Sequence, residues 1–288
     1  MKIKLFYLLC ILVAYLSFSP LIGQAHGDSE DHDGFFQHYT FFELWDPLYF
    51  LILTFVYIVF INGSRKIMIK KIAFGSGLFT LFLALGSPLH VLGDSYLFSA
   101  HMLQQSLVYI VVPPLILYGL QNGETGKWIS KVRLGIFKRP LFLLLGFNVL
   151  FSFYHIPIIF EYLVQNTIFH SMSHVILTVS AFLMWVPIIP LVKEMDTLTE
   201  VQKIGYIFAG GVLLTPACAL ILFADHTMYP TYITNQPLFP MLPPLDDQQL
   251  GGIIMKVAQE IVFCSIIGYI FFNWAKKEQE VDKCVENK

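Results

Sequence analysis

Charge is scarce in this chain. Asp, Glu, Lys and Arg make up 13 % of its 288 residues, against about 25 % in soluble domains. That shortage excludes an ordinary water-soluble domain. Cysteine is scarce too. Cys10, Cys218, Cys264 and Cys284 form no C-x-x-C, so neither a disulfide framework nor a thiol metal clip is indicated. There is no G-x-S-x-G, no Walker A sequence and no dinucleotide fingerprint. No internal repeat and no separate soluble domain stand out. What remains is apolar: 56 % hydrophobic residues, 27 Phe and 14 Tyr. The chain reads as an all-α polytopic membrane helix bundle.

A membrane helix needs roughly 20 mostly apolar residues. Seven intervals are candidates: Pro47–Ile61, which continues an apolar entry at Phe41-Phe42 and Trp45, then Ile72–Leu89, Tyr96–Leu120, Leu141–Ile159, Ile168–Val192, Ile204–Ala224 and Gly251–Trp274. A shorter run, Leu5 to Leu21, follows Lys2 and Lys4 and precedes Gly23-Gln24-Ala25. Small residues at −3 and −1 after an apolar run mark a secretory cleavage site. A signal peptide over 1–25 is expected, with an uncleaved eighth span as the alternative. An exported acidic, His-containing segment over 26–46, a membrane domain over 47–274 and a cytoplasmic tail over 275–288 would complete the chain.

Lys and Arg are missing from alternate connections, and that fixes an expected orientation. Arg65, Lys66, Lys70 and Lys71 follow the first of the seven spans. Lys127, Lys131, Arg133, Lys138 and Arg139 follow the third, Lys193 and Lys203 flank the loop after the fifth, and Lys276, Lys277, Lys283 and Lys288 close the chain. The segments 26–46, 90–95, 160–167 and 225–250 hold none. The pattern predicts an N-terminus outside and a C-terminus in the cytoplasm. The proline-rich segment 225–250 is too long for a bare loop, so an ordered outer cap is expected.

On that map all nine histidines fall on the outer side or in the outer half of the membrane. His26, His32 and His38 lie in the exported segment, where a freed His26 amine and ring are a weak candidate for Cu(II). His90 is expected to close the second span. His101 lies in the third, His155 near the outer end of the fourth, His170 and His174 open the fifth, and His226 follows the sixth. Methionines share this level: Met102, Met172, Met228 and Met241. Imidazole binds several transition metals and thioether favours Cu(I). His170 and His174, at i and i+4, share one helix face. With His101 and His155 they form the candidate metal set, with Met102, Met172, His90 and His226 as further candidates.

The plainer readings carry weight. An intramembrane histidine usually faces the bundle interior or a cavity, and a single one is more often a packing residue than a ligand. The acidic N-terminal segment is as readily a solvated tail. Lys256 and Glu260, four apart on the last span, read as a structural pair. Asp246 or Asp247 is expected to cap that last helix. Pro113-Pro114 and Pro216 should bend their spans. "HSMSH" has the spacing of a zinc protease motif, but Ser171 stands where the catalytic glutamate would be. The inner halves of the spans are nearly bare Leu, Phe, Ile and Val, which suits an outward-facing docking or loading site better than a through-channel.

Five stretches in order, "LWDPLYFLIL", "LALGSPLHVLGDSYLFSAHMLQQSLVYIVVPPLILYG", "FYHIPIIFEY", "FHSMSHVILTVSAFLMWVPII" and "DDQQLGGIIMK", span Leu44 to Lys256. Together they resemble the CtaG family of bacterial cytochrome c oxidase assembly factors, the type associated with caa3 oxidase. The resemblance implies a multi-pass plasma-membrane protein without catalytic turnover that supports maturation of a haem–copper oxidase at the copper-insertion step. It implies cytochrome c oxidase subunits, a copper chaperone and the lipid bilayer as partners, and no nucleic acid. The family's His-Met-x-Gln pattern falls on His101, Met102 and Gln104, its His-x-Pro on His155 and Pro157, and its paired histidines on His170 and His174. Gln105 stands where the family often has a second histidine, and Lys256 where an aromatic is more usual. Copper is the expected cofactor. The alternatives are a haem-binding membrane cytochrome or electron carrier, a copper permease, and a scaffold that binds the oxidase without any metal.

Overall fold

The computed structural model describes residues 39–64, 66–122, 139–234 and 241–286. The expected signal segment, His26, His32 and His38 lie outside the described residues, as do the basic positions 127–138. Among the described residues every regular element is helical.

A short α1 (Phe41–Leu44) leads into α2 (Pro47–Gly63). Asp46 caps α2 by accepting from Tyr49 N at 2.9 Å, with Pro47 in the first turn, the usual chemistry of a helix start. α3 runs Met68–Leu85. The sequence Gly86-Ser87-Pro88 then ends it, because a residue before proline is pushed out of the helical region, and Ser87 sits at φ −120°, ψ 172°. Ser87 caps α4 (Pro88–Ser95) through Leu89 N at 3.3 Å. The second span therefore stops four residues short of Leu89, and His90 belongs to a separate short helix rather than closing the span.

α5 (Phe98–Ser106) passes through a π-turn (Leu107–Val111) into α6 (Val112–Leu120). The cause lies just ahead. Pro113 and Pro114 have no N–H, so the Tyr109 carbonyl loses its i+4 and i+5 donors together. Trp185 Nε1 donates to that carbonyl instead, at 3.2 Å. This continuous unit is the bundle's axis: 72 % of its membrane-length window is buried, against 28–33 % for the other long helices.

α7 (Pro140–Tyr154) and α8 (Pro157–Val164) meet at 78°. Ile156 precedes Pro157 and takes an extended ψ of 122°, which breaks the expected fourth span at His155. Asn166 caps α9 (Thr167–Trp185) through Ile168 N and Phe169 N. The fifth span was expected to reach Val192. It ends at Trp185, because Pro187 and Pro190 withhold donors, and the segment 186–192 packs as buried coil. A capping box at Thr199 and Gln202 starts α10 (Glu200–Leu222), which carries Pro216 inside it. α11 (Pro230–Thr234) and α12 (Pro244–Glu286) complete the chain.

By length and composition, five helices are apolar enough to cross a membrane: α3, the α5–α6 unit, α9, α10 and α12. The bent pair α7–α8 makes up to six. α2, at 17 residues, is at the short limit for a span. The protein is a multi-pass helical membrane bundle.

One end of the bundle is tied by lysine. Lys66 Nζ donates to Gly119 O at 2.6 Å, and Lys277 pairs with Glu200 at 2.8 Å. The opposite end is tied by buried polar groups. Asp247 accepts from Phe98 N at 2.7 Å and Ser99 N at 3.2 Å. The expectation that Asp247 caps its own helix is corrected: it caps α5, whose preceding residue Leu97 has no side-chain acceptor. Gln248 accepts from Met228 N, Tyr229 Oη donates to His155 O, and Tyr232 Oη donates to Gly93 O. In its described part, the long proline-rich connection forms an ordered cap over this end.

Candidate metal centre

The polar end holds a small cavity of about 30 Å³, room for a water or a single ion. It lies where α4, α5 and α9 converge. His90, Asp94, Gln104, Gln105, Tyr109, His170 and His174 line it, among apolar neighbours.

α9 supplies the pair. One helical turn sets the His170 and His174 rings 4.6 Å apart at 81°, and their Nε2 atoms are 3.0 Å apart. Tyr109 Oη holds His174 Nδ1 at 2.8 Å. If Tyr109 donates, His174 Nε2–H points at His170 Nε2. If Tyr109 accepts, the proton between the two Nε2 atoms comes from His170. In both cases two imidazole nitrogens converge on one proton; a cation could be held by both Nε2 atoms once each neutral ring carries its proton on Nδ1, with Tyr109 Oη then accepting from His174 Nδ1.

α5 supplies the next layer. His101 is fully buried, with its ring 6.3 Å from His170 and 5.7 Å from His174. Its Nε2 accepts from Gln105 Nε2 at 2.8 Å and from Tyr154 Oη at 3.3 Å. Gln104 Nε2 donates to His90 Nδ1 at 3.0 Å, and Asp94 Oδ2 is 3.5 Å from the same nitrogen. The aromatic wall behind His101 is formed by Phe98, Tyr154, Phe160 and Tyr232.

His155 stands apart from the cavity lining. Its Nδ1 donates to Phe151 O at 2.9 Å, and its ring packs on Phe151 at 4.2 Å. That bond fixes the tautomer and leaves Nε2 as a lone-pair nitrogen, buried and without a partner among the described residues. Met102 is buried toward α12, where its Cγ crowds Gly251. Met172 is 54 % exposed on the outside of α9. His226 is exposed and pairs with Asp225 at 2.6 Å; that hydrogen bond holds the Asp225 carboxyl below its usual range. The structure thus brings together His90, His170 and His174, with His101 one layer behind. It does not bring Met102, Met172 or His226 to them. Among the described residues no three His, Cys, Asp or Glu side chains are close enough to hold an ion as they stand.

The residues that sequence reasoning passed over are Tyr109, Tyr154 and Asp94. Two left a signal. His101, Gln105 and Tyr109 follow an i, i+4, i+8 stripe, and Asp94 stands four after His90. Tyr154 left none, because its contact crosses from another helix.

The fold and this buried polar end define a multi-pass helical membrane protein with a histidine-lined cavity at one end of the bundle. Residues 55–277 match the family model for the cytochrome c oxidase caa3 assembly factor (Caa3_CtaG), and the chain belongs to that family. Comparison with curated proteins and with solved structures gave no match.

Proposed function

We propose that this assembly factor handles copper for the oxidase, binding it at His170 and His174 on the outer face of the bacterial plasma membrane. The observation that carries the reading is the 3.0 Å approach of the two Nε2 atoms beside a cavity large enough for an ion. Two imidazoles bound to one tetrahedral ion at about 2.0 Å each place their nitrogens roughly 3.3 Å apart, so small ring movements suffice. A third protein donor would require movement: His90 shares the cavity lining with the pair, and His101, its ring 5.7 Å from that of His174, would have to exchange its Gln105 bond. Tyr109 holds the His174 ring in orientation, the role of an outer hydrogen-bond partner in a metal site.

Haem fits less well. The cavity as it stands, about 30 Å³, suits a water or a single ion rather than a macrocycle. The charge alternation supports an outside location for the polar end and a cytoplasmic C-terminus. In this reading the factor carries out no catalytic turnover. It receives copper, from a chaperone or from the exported compartment, and passes it to an oxidase subunit docked at the same level.

The test is complementation. A host lacking the protein, given the His170→Ala/His174→Ala variant, should assemble oxidase depleted in copper although the variant is present in the membrane. Normal copper content and activity in that strain would overturn the reading and favour a metal-free scaffold.

A further inference from the structure

Asp94 stands where the fold gains nothing from a charge. It lies in the last turn of α4, where bare helix carbonyls carry partial negative charge and a carboxylate is unfavourable. Its Oδ1 is buried and has no hydrogen-bond partner among the described residues. Its Oδ2 is 3.5 Å from His90 Nδ1, a nitrogen that already takes the Gln104 N–H at 3.0 Å. Turning the Gln104 amide over gives that nitrogen a proton to share, yet Oδ1 stays bare. A charged oxygen withdrawn from water without a partner is destabilising.

The backbone nevertheless pins it there. Tyr232 Oη donates to the neighbouring Gly93 carbonyl at 2.7 Å, and Leu97 N donates to Leu92 O at 2.8 Å. Gly93 lies so close to α5 that a Cβ on it would stand 2.9 Å from Gln104 Oε1 and 3.0 Å from His101 N. The carboxylate is therefore held against the helix that carries His101, in the wall of the histidine cavity. Among the described residues lining that cavity, Asp94 is the only carboxylate, and there is no Lys or Arg.

We infer that Asp94 is the counter-charge for the ion held in this cavity, a role that rests on the copper reading above. Two neutral imidazoles leave a bound Cu(I) with its full charge, and an unbalanced charge among buried groups is unfavourable. One carboxylate in the wall cancels it. As they stand, no three donors among the described residues are close enough to share an ion, so Asp94 acts through its charge and not through a bond to the metal. The metal-free protein carries the strain of the bare carboxylate, and the ion relieves it. Asp94 thus makes the empty site less stable and the filled site tighter.

The test takes two readings on the purified full-length chain: Cu(I) affinity by competition with bicinchoninate, and the thermal unfolding midpoint without metal. Asp94→Asn keeps the shape and removes the charge. Its Cu(I) affinity should fall about 10- to 100-fold, the scale for groups that support a metal site without binding the ion. Its metal-free midpoint should stay level or rise, because an unfavourable charge has gone. Asp94→Glu keeps the charge and should recover most of the affinity. Unchanged affinity in Asp94→Asn, a metal-free midpoint that falls (the mark of a structural ion pair with protonated His90), or Asp94→Glu as weak as Asp94→Asn would each overturn the inference. His170→Ala/His174→Ala separates the two readings. If wild type takes no Cu(I), or the double variant binds it equally well, the copper reading fails and this role with it. If the double variant loses Cu(I) while Asp94→Asn keeps it, only the counter-charge role fails.

Discussion

Tyr109 makes the most informative single contact in the cavity, because it fixes the ring that a metal would use. Tyr109→Phe keeps the packing and removes the 2.8 Å bond to His174 Nδ1. Metal affinity, measured by chelator competition, should fall about 10- to 100-fold; unchanged affinity would separate Tyr109 from the site. Asp247 has a structural counterpart of that role. Asp247→Ala strips the caps from Phe98 N and Ser99 N and should cost about 1–3 kcal/mol in unfolding experiments, with Asp247→Asn costing less because one acceptor remains. The His170/His174 pair was legible in the sequence, since i, i+4 spacing on a helix dictates proximity. The partner of Asp247 was not. Asp247 looks like a cap for its own helix, and only folding brings the start of α5 to it.

At the scale of elements, the prolines explain where expectation and structure part. Pro88, Pro157 and Pro187 each shorten or break a span that hydropathy alone extends through them, because hydropathy does not register a missing N–H. A bend was expected at Pro113-Pro114; what stands there is a π-turn within a continuous helix, and the Trp185 donor that closes it lies 76 residues away. Trp185→Phe should destabilise the bundle by about 1–3 kcal/mol by leaving the Tyr109 carbonyl bare. In a Pro113→Ala background, where an N–H returns at i+4, that penalty should shrink. A cycle showing simple additivity would contradict the account. Glycines give a sharper contrast. Gly251→Ala drives a Cβ to 2.8 Å from Phe98 Cδ1 and 3.0 Å from Met102 Cγ, and should cost about 1–3 kcal/mol by overpacking. Gly146→Ala meets nothing within 4 Å and should be neutral or slightly stabilising.

For the whole molecule, composition was enough to reveal a helical membrane bundle, and four of its described histidines, His90, His101, His170 and His174, stand around one cavity at its polar end. The bundle's ties agree: lysines join elements at one end, and buried Asp, Gln and Tyr join them at the other. The residues that line the cavity were less legible. Helical spacing says which residues share a face but not which face meets the cavity, so Met102 and Met172 looked equivalent to the histidines beside them. Orientation has a direct check. Asp225→Cys at the polar end should react with a membrane-impermeant maleimide on intact cells, and Asp196→Cys at the lysine end only after permeabilisation. The reverse pattern would invert the topology. The central claim is tested most directly by the copper content of the purified full-length protein after Cu(I) loading. The account predicts about one copper per chain in the wild type and almost none in His170→Ala/His174→Ala. Equal copper in both would contradict it.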